Sequence, residues 1–316
     1  ISNDMFVANK IGYAAISLDG GVNNWGFWEF TNPDGLKHEY SSNQVLNKIN
    51  GELLDVKKLF STENAFAALR EDGSVVTWGV SDPGGDNSAV ASELNGDIDV
   101  IKIVSNYASF AALREDGSVV TWGHPETYDP NYYNSGGNSS FVANKLDGNV
   151  DVVSLTSARN TFSALLEDGS VVSWGGTMGG NFEEEFQNFP ASLDGLNKVL
   201  EIVSTDYNYA ALHDDGSVTT WPSMIVDEVD VVNVTTNDYA FAAIKVDGSV
   251  VSWGGVDNGG DYFDVESQLD GSVNVTEIVG ARNSFAAIRE DGSVVTWGND
   301  INGGDSLSVA SEINGE

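Results

Sequence analysis

Asp-Gly-Ser-Val-Val-Thr-Trp-Gly occurs unchanged at Asp72–Gly79, Asp116–Gly123 and Asp291–Gly298. Variants of it stand at Asp19–Gly26, Asp168–Gly175, Asp215–Pro222 and Asp247–Gly254. These seven copies hold seven of the eight Trp residues. An internal repeat decides the architecture before any single residue does. Each copy is one supersecondary unit that must bury its faces on its neighbours.

Outward from the copy at Asp116, Ile101–Ser105 is apolar and β-branched, Ser109–Arg114 is a second apolar run and Ser118–Trp122 a third. Glu115-Asp116-Gly117 joins the last two as a tight hairpin, with Gly supplying the positive φ that such turns need. A polar, Gly-rich stretch follows Gly123, and Leu146-Asp147-Gly148 leads into the next unit. Three or four short antiparallel strands per unit, seven units and no helical periodicity specify an all-β, seven-bladed β-propeller over residues 1–316.

The anchors Asp19, Asp72, Asp116, Asp168, Asp215, Asp247 and Asp291 are 53, 44, 52, 47, 32 and 44 residues apart. The head before the first anchor and the tail after the last together make 44 residues, the commonest step. The sequence therefore predicts a ring closed by N- and C-terminal segments that share one blade. Because the chain starts inside a unit at Ile1, it reads as a processed product or an excised segment.

Ala pairs recur at Ala14/Ala15, Ala67/Ala68, Ala111/Ala112, Ala210/Ala211, Ala242/Ala243 and Ala286/Ala287, small residues suited to crowded positions where blades converge. The repeated Trp suits the wider gap between blades. Burying one Trp removes on the order of 150–250 Å² from water, worth roughly 4–6 kcal/mol as an upper bound. That magnitude assigns packing to Trp25, Trp78, Trp122, Trp174, Trp221, Trp253 and Trp297.

The pattern Leu-x-x-Asp-Gly-x-Val-x-x-Trp-Gly, followed by a Gly-containing turn, resembles the repeat of the regulator of chromosome condensation (RCC1) superfamily of seven-bladed propellers. The resemblance is closest to its bacterial branch, which includes secreted β-lactamase inhibitors and the repeats of large marine bacterial surface proteins. Ser88–Leu94 and Ser306–Ile313 match the short segment after the Trp-Gly turn in that branch. The Gly-Gln-Leu-Gly segment of the eukaryotic members is replaced here by Gly-Gly-Asp at Gly84–Asp86, Gly259–Asp261 and Gly303–Asp305. The His of those repeats is missing, which argues against a chromatin-bound exchange factor.

Net charge is −34, with 48 acidic residues against 14 basic. Such a surface repels nucleic-acid phosphates and anionic membranes, so neither is expected as a partner. No apolar run approaches the ~18 residues of a membrane span. Cysteine is absent. An acidic surface suits salt, which screens self-repulsion, and an extracellular or cell-surface location.

No catalytic constellation emerges, and an enzyme is not expected. His38, His124 and His213 occupy unrelated positions, and neither Gly-x-Ser-x-Gly nor a phosphate-binding Gly loop occurs. No cofactor is required by the sequence. Ca²⁺ is the one candidate, because Asp82, Asp86, Asp257, Asp261, Asp300, Asn302 and Asp305 gather oxygen ligands on Gly turns. Turn propensity alone also accounts for them.

The loop between the first two strands of each unit varies while its flanks repeat. It carries Lys10, Glu63, Tyr107, Arg159, Tyr207, Tyr239 and Arg282, expected on one face. Tyr and Arg are enriched at binding hot spots, and in the resembling inhibitors this position is the partner-binding surface. Two insertions add aromatics, Trp28 and Tyr40 in the first and Tyr128, Tyr132 and Tyr133 in the third, able to stack on sugars or anchor a protein. The sequence thus predicts a non-enzymatic binding domain for a protein or glycan ligand. A secreted enzyme inhibitor is the alternative, and a carbohydrate-active enzyme a third reading.

Overall fold

The structure, a computed structural model, describes residues 6–18, 20–26, 30–31, 37–38, 53–80, 84–124, 135–176, 190–222, 226 and 228–315. Seven three-stranded antiparallel sheets follow one another along the chain, each with its second strand in the middle. Blade 1 is β1 (Phe6–Ala8), β2 (Tyr13–Ile16) and β3 (Val22–Trp25), followed by a small hairpin of β4 (Phe30–Thr31) and β5 (Lys37–His38). Blade 2 is β6 (Val56–Ser61), β7 (Ala65–Arg70) and β8 (Val75–Gly79), and blade 3 is β9 (Val100–Ser105), β10 (Ser109–Arg114) and β11 (Val119–Gly123). Blade 4 is β12 (Val152–Ser157), β13 (Thr161–Leu166) and β14 (Val171–Gly175). Blade 5 is β15 (Val199–Ser204), β16 (Tyr209–His213) and β17 (Val218–Trp221). Blade 6 is β18 (Val231–Thr236), β19 (Ala240–Lys245) and β20 (Val250–Gly254), and blade 7 is β21 (Val275–Gly280), β22 (Ser284–Arg289) and β23 (Val294–Gly298). The chain divides into two compact units, residues 1–167 with 172–180 and residues 168–171 with 181–316.

The Asp-Gly-Ser turn earns its repetition. In Asp72, Asp116, Asp168, Asp215, Asp247 and Asp291 one carboxylate oxygen accepts both the backbone N–H and the hydroxyl of the Ser two residues on, at 2.5–3.1 Å. The Gly between them holds a positive φ, +76° at Gly117. It also hands its carbonyl to the next blade. Val56, Val100, Val152, Val199, Val231 and Val275 each donate their N–H to the Gly of the preceding hairpin, at 2.9–3.2 Å. The turn that closes one blade therefore seats the first strand of the next. A Cβ on Gly117 would stand 2.5 Å from the Asp151 carboxylate and 2.7 Å from its Cα.

The first strands of blades 2–7 each carry one extra residue, whereas β1 pairs with β2 without a shift. Register shifts leave Lys57, Ile101, Val153, Leu200, Val232 and Thr276 outside the ladder, all of them exposed. Beyond the bulge the strands pair regularly, and side chains alternate between the two faces.

The middle strands supply the core. In the first unit, Ala65, Ala67 and Leu69 of blade 2 pack against Phe110 and Trp122 of blade 3. Ala111 and Leu113 of blade 3 likewise meet Phe162 and Trp174. In the second unit, Ala240, Ala242 and Ile244 meet Phe285 and Trp297. Each Trp stacks on the aromatic directly across the hairpin, as in Phe110–Trp122 at 5.2 Å and Tyr209–Trp221 at 5.2 Å. Small Ala residues on one blade leave the room that the large pair on the next one fills.

Of the three or four strands expected per unit, the structure has three. The segment after the Trp-Gly turn is not a fourth strand but a 3-10 turn, at Ser88–Glu93, Ser140–Lys145, Phe263–Gln268 and Leu307–Val309. It meets the third strand through one backbone bond, such as Val75 N–H to Leu94 O at 2.9 Å. In blade 1, Phe6–Ala8 pairs antiparallel with Tyr13–Ile16, and β2 lies between β1 and β3. Trp25 stacks on Tyr13 at 5.7 Å and lies tilted against Phe6 at 6.1 Å, and at 46% exposed it is less covered than the other repeat Trp residues.

Two tests follow from the turn. Gly117→Ala is expected to cost about 1–3 kcal/mol in chemical denaturation, since it combines a strained φ with a backbone clash. A loss below about 0.5 kcal/mol, the range of ordinary surface changes, would contradict the seating role. The Ser217 hydroxyl, the Ser217 N–H and Asn197 hold the Asp215 carboxyl down at about 2. A lowered carboxyl favours the folded state above its unfolded value, and that contribution is lost as pH falls toward 2. The side-chain carboxyl carbon of Asp215 should titrate near 2 by NMR. A midpoint at about 3.9, the unperturbed value, would overturn the bonding.

Candidate functional site

The loop that joins first and second strands is pinned from below by a side chain. Asn106 Oδ1 accepts from the N–H groups of Ala108 and Ser109 at 3.1 and 2.9 Å. Asn9 and Asn237 do the same for Ile11 with Gly12 and for Tyr239 with Ala240. In the loop of blade 5 Thr205 Oγ1 accepts from Tyr207 and Asn208. The residue after each of these stands at the loop's apex, its N–H pointing along the row of blades. In the first unit Lys10 donates to Glu63 O, Glu63 to Tyr107 O and Tyr107 to Arg159 O, each at 2.9 Å. In the second unit Asp206 donates to Asp238 O at 2.8 Å, and Asp238 to Arg282 O at 3.3 Å.

This backbone row corrects the register of the candidate residues. Lys10, Glu63, Tyr107, Arg159 and Arg282 occupy equivalent positions, as expected. Tyr207 and Tyr239 lie one residue further on, and the positions equivalent to Tyr107 are Asp206 and Asp238. The signal was available in the preceding residues: Asn9, Thr62, Asn106, Thr205 and Asn237 are all side chains that bond back to turns. The loops of Arg159 and Arg282 carry Ala158 and Ala281 there instead.

In the first unit four of these side chains form one cluster. Lys10 is paired with Glu63, and the Tyr107 hydroxyl bonds to Glu63 as well. The Lys10 ammonium lies 5.7 Å from the Tyr107 ring centroid and the Arg159 guanidinium 5.3 Å. Burial raises the Tyr107 phenol, with the Glu63 bond adding to it, while the Glu63 bond raises the Lys10 ammonium. Tyr107 and Arg159 remain exposed. In the second unit Tyr207 stacks on Tyr239 at 6.3 Å, and Arg282 pairs with Asp238 at 3.4 Å. That pair is open to water on both sides and contributes ~0–1 kcal/mol. Each cluster is an exposed aromatic surface with charges fixed on a hydrogen-bonded backbone. It offers no nucleophile with an adjacent base.

His213 is a core residue. Its Nδ1 lies 3.0 Å from Asn197 O and its Nε2 2.8 Å from Thr219 Oγ1. The insertion aromatics Trp28, Tyr40, Tyr128, Tyr132 and Tyr133 lie outside the described residues.

The candidate Ca²⁺ ligands have other work. Asp86, Asp261 and Asp305 each accept the N–H two residues on, opening a 3-10 turn. Asn302 donates to Asn299 Oδ1 at 3.0 Å, and Asp257 and Asp300 lie in 3-10 turns of their own. Asp82 is outside the described residues. Among the described residues no three His, Asp or Glu side chains come together as a metal would need. An unchanged melting midpoint between chelator and millimolar Ca²⁺ at matched ionic strength would leave these residues as turn formers alone. A rise with Ca²⁺ would place a cation on these turns.

No protein-family model and no curated protein matches the chain. Solved structures do. The CRINKLY WD40 ectodomain of the Arabidopsis thaliana receptor kinase ACR4 is 18% identical over 74% of this chain and 80% of that one, with a TM-score of 0.41. Prp20p from Saccharomyces cerevisiae, described with its binding to Gsp1p and histones, is 17% identical over 77% and 72%, with a TM-score of 0.45. Human WBSCR16 is 12% identical over 78% of each chain, with a TM-score of 0.46. The Asp-Gly hairpin and the three-stranded antiparallel sheet recur seven times and the Trp-Gly exit six times, a succession of β-propeller blades.

Proposed function

We propose that the chain is a non-catalytic binding domain whose ligand is a protein, engaged by the loops between first and second strands. One observation supports this above the others. The apical residues differ from blade to blade while, within each unit, a row of backbone bonds holds them in place. A rigid backbone with variable, exposed Tyr and Arg side chains loses little entropy on association, and these are the residue types that dominate binding energy. The charge of −34 argues against nucleic acid as the ligand.

The finer reading is an exported or cell-surface recognition domain, consistent with the resemblance to bacterial propellers and with a charge that salt would screen. Binding to whole cells and to detergent-solubilised cell-surface protein should be measured for the intact chain and two double variants. Tyr107→Ala with Arg159→Ala strips the first cluster, and Tyr207→Ala with Tyr239→Ala strips the second. At least one pair should lose about tenfold or more in affinity, with the melting midpoint kept within a few degrees. Undiminished binding by both pairs would sink the loop surface as the site. Binding abolished by glycosidase but not by protease treatment of the target would make the ligand a glycan.

A further inference from the structure

Positive charge is scarce in this chain, and it is not scattered. On the first strands and following loops of blades 1–4 stand Lys10, Lys57, Lys58, Lys102 and Arg159, against a single carboxylate, Glu63. The same elements of blades 5–7 carry Glu201, Asp206, Asp238 and Glu277, with Arg282 the one cation. The first unit thus presents a positive surface on a strongly negative protein.

Two lysines form the centre of that surface. Lys58 and Lys102 sit at the same register position of β6 and β9, one residue beyond the bulge. Lys58 extends over the ring of its strand neighbour Phe60, 5.5 Å from the centroid. Lys102 reaches across to β12 and donates to the carbonyl of Leu155 at 2.9 Å. Burial pulls the Lys102 ammonium below its usual value, and the charge of Lys58 adds to the effect. Two like charges held side by side repel one another, and a carboxylate between them would relieve that repulsion. At physiological salt, fields fade over ~8 Å, so a ligand on these strands meets the local cations and not the distant acidic surface.

We propose that the first-strand surface of the first unit, from Lys58 and Lys102 up to Lys10 and Arg159, receives an acidic segment of a partner protein. This rests on the protein-binding reading above and names the chemistry of the partner. A carboxylate chain fits better than a sulfated sugar. Phe60 already holds Lys58 against its ring, and Tyr107 holds Lys10 and Arg159, so the aromatic faces a sugar would stack on are engaged. From Lys102 to Tyr107 is about 16 Å of strand at ~3.3 Å per residue. An extended peptide with acidic residues at alternate positions spans that distance.

The test uses the whole chain and a fluorescent N-acetyl hexaglutamate, followed by anisotropy at rising salt. Saturable binding that weakens with salt is expected. Lys58→Gln with Lys102→Gln should lower affinity by about tenfold or more. Lys145→Gln, which removes one cation from an exposed 3-10 turn, should leave it within about twofold, a surface effect. Circular dichroism with the melting midpoint checks that the double variant is folded. Absence of saturable binding, or binding that the double variant does not weaken, overturns the proposal. A sulfated hexasaccharide that binds tighter than the peptide overturns it in favour of a glycan. If hexaglutamate fails while the Tyr107/Arg159 variant still loses its cell-surface partner, only the acidic-segment inference falls.

Discussion

The bond from a hairpin glycine's carbonyl to the first valine of the next blade is the constraint on which the rest depends. It fixes where each first strand begins, and so fixes which residue bulges and which side chain faces inward. The glycine can play this part because its φ is positive and its Cα side is closed by the following blade. The flanking Asp and Ser set the turn's shape through a carboxylate that accepts two bonds at once. Three residues therefore specify a hairpin and an inter-blade joint together. At the other end of the first strand the apical N–H row joins blades through main-chain atoms alone, which leaves the apical side chain free to vary above its Asn or Thr support.

That asymmetry explains what could be read from the chain. The Asp-Gly-Ser turn, the Ala-rich middle strand and the Trp-Gly exit are side-chain requirements, and they recur visibly. The apical row is a main-chain device, so the sequence shows only its freedom to vary. Tyr207 and Tyr239 were aligned with Tyr107 because they are conspicuous, whereas the backbone counts from the Asn or Thr beneath and arrives at Asp206 and Asp238. The 3-10 turns were equally hidden, because an Asx-capped turn and a short edge strand draw on the same small polar residues. Trp25 carries the repeat's signature, but its exposure is decided by what lies against it, which its own blade does not encode.

Electrostatics separates the two units more sharply than shape does. Both are built from the same blade, with the same turn and the same aromatic pair. Yet the strands that follow the bulge carry lysine in one and glutamate in the other, at Lys58 and Lys102 against Glu201 and Glu277. A repeat conserves what packs and leaves these positions open, so one scaffold can present opposite charge on equivalent surfaces. Function in such a chain is a matter of which open positions are filled, and with what.

The bulge residues Lys57, Ile101, Val153, Leu200, Val232 and Thr276 also make the molecule easy to instrument. Each stands exposed outside the ladder, so replacing it removes no ladder bond, although Thr276 also donates its hydroxyl to Ile288 O at 3.1 Å. The chain has no cysteine of its own. A cysteine introduced at one of these six sites is therefore a unique thiol, and two of them a defined pair. Spin labels or dyes attached there would report distances along the row of blades from the same station in each, with the repeat itself serving as the ruler.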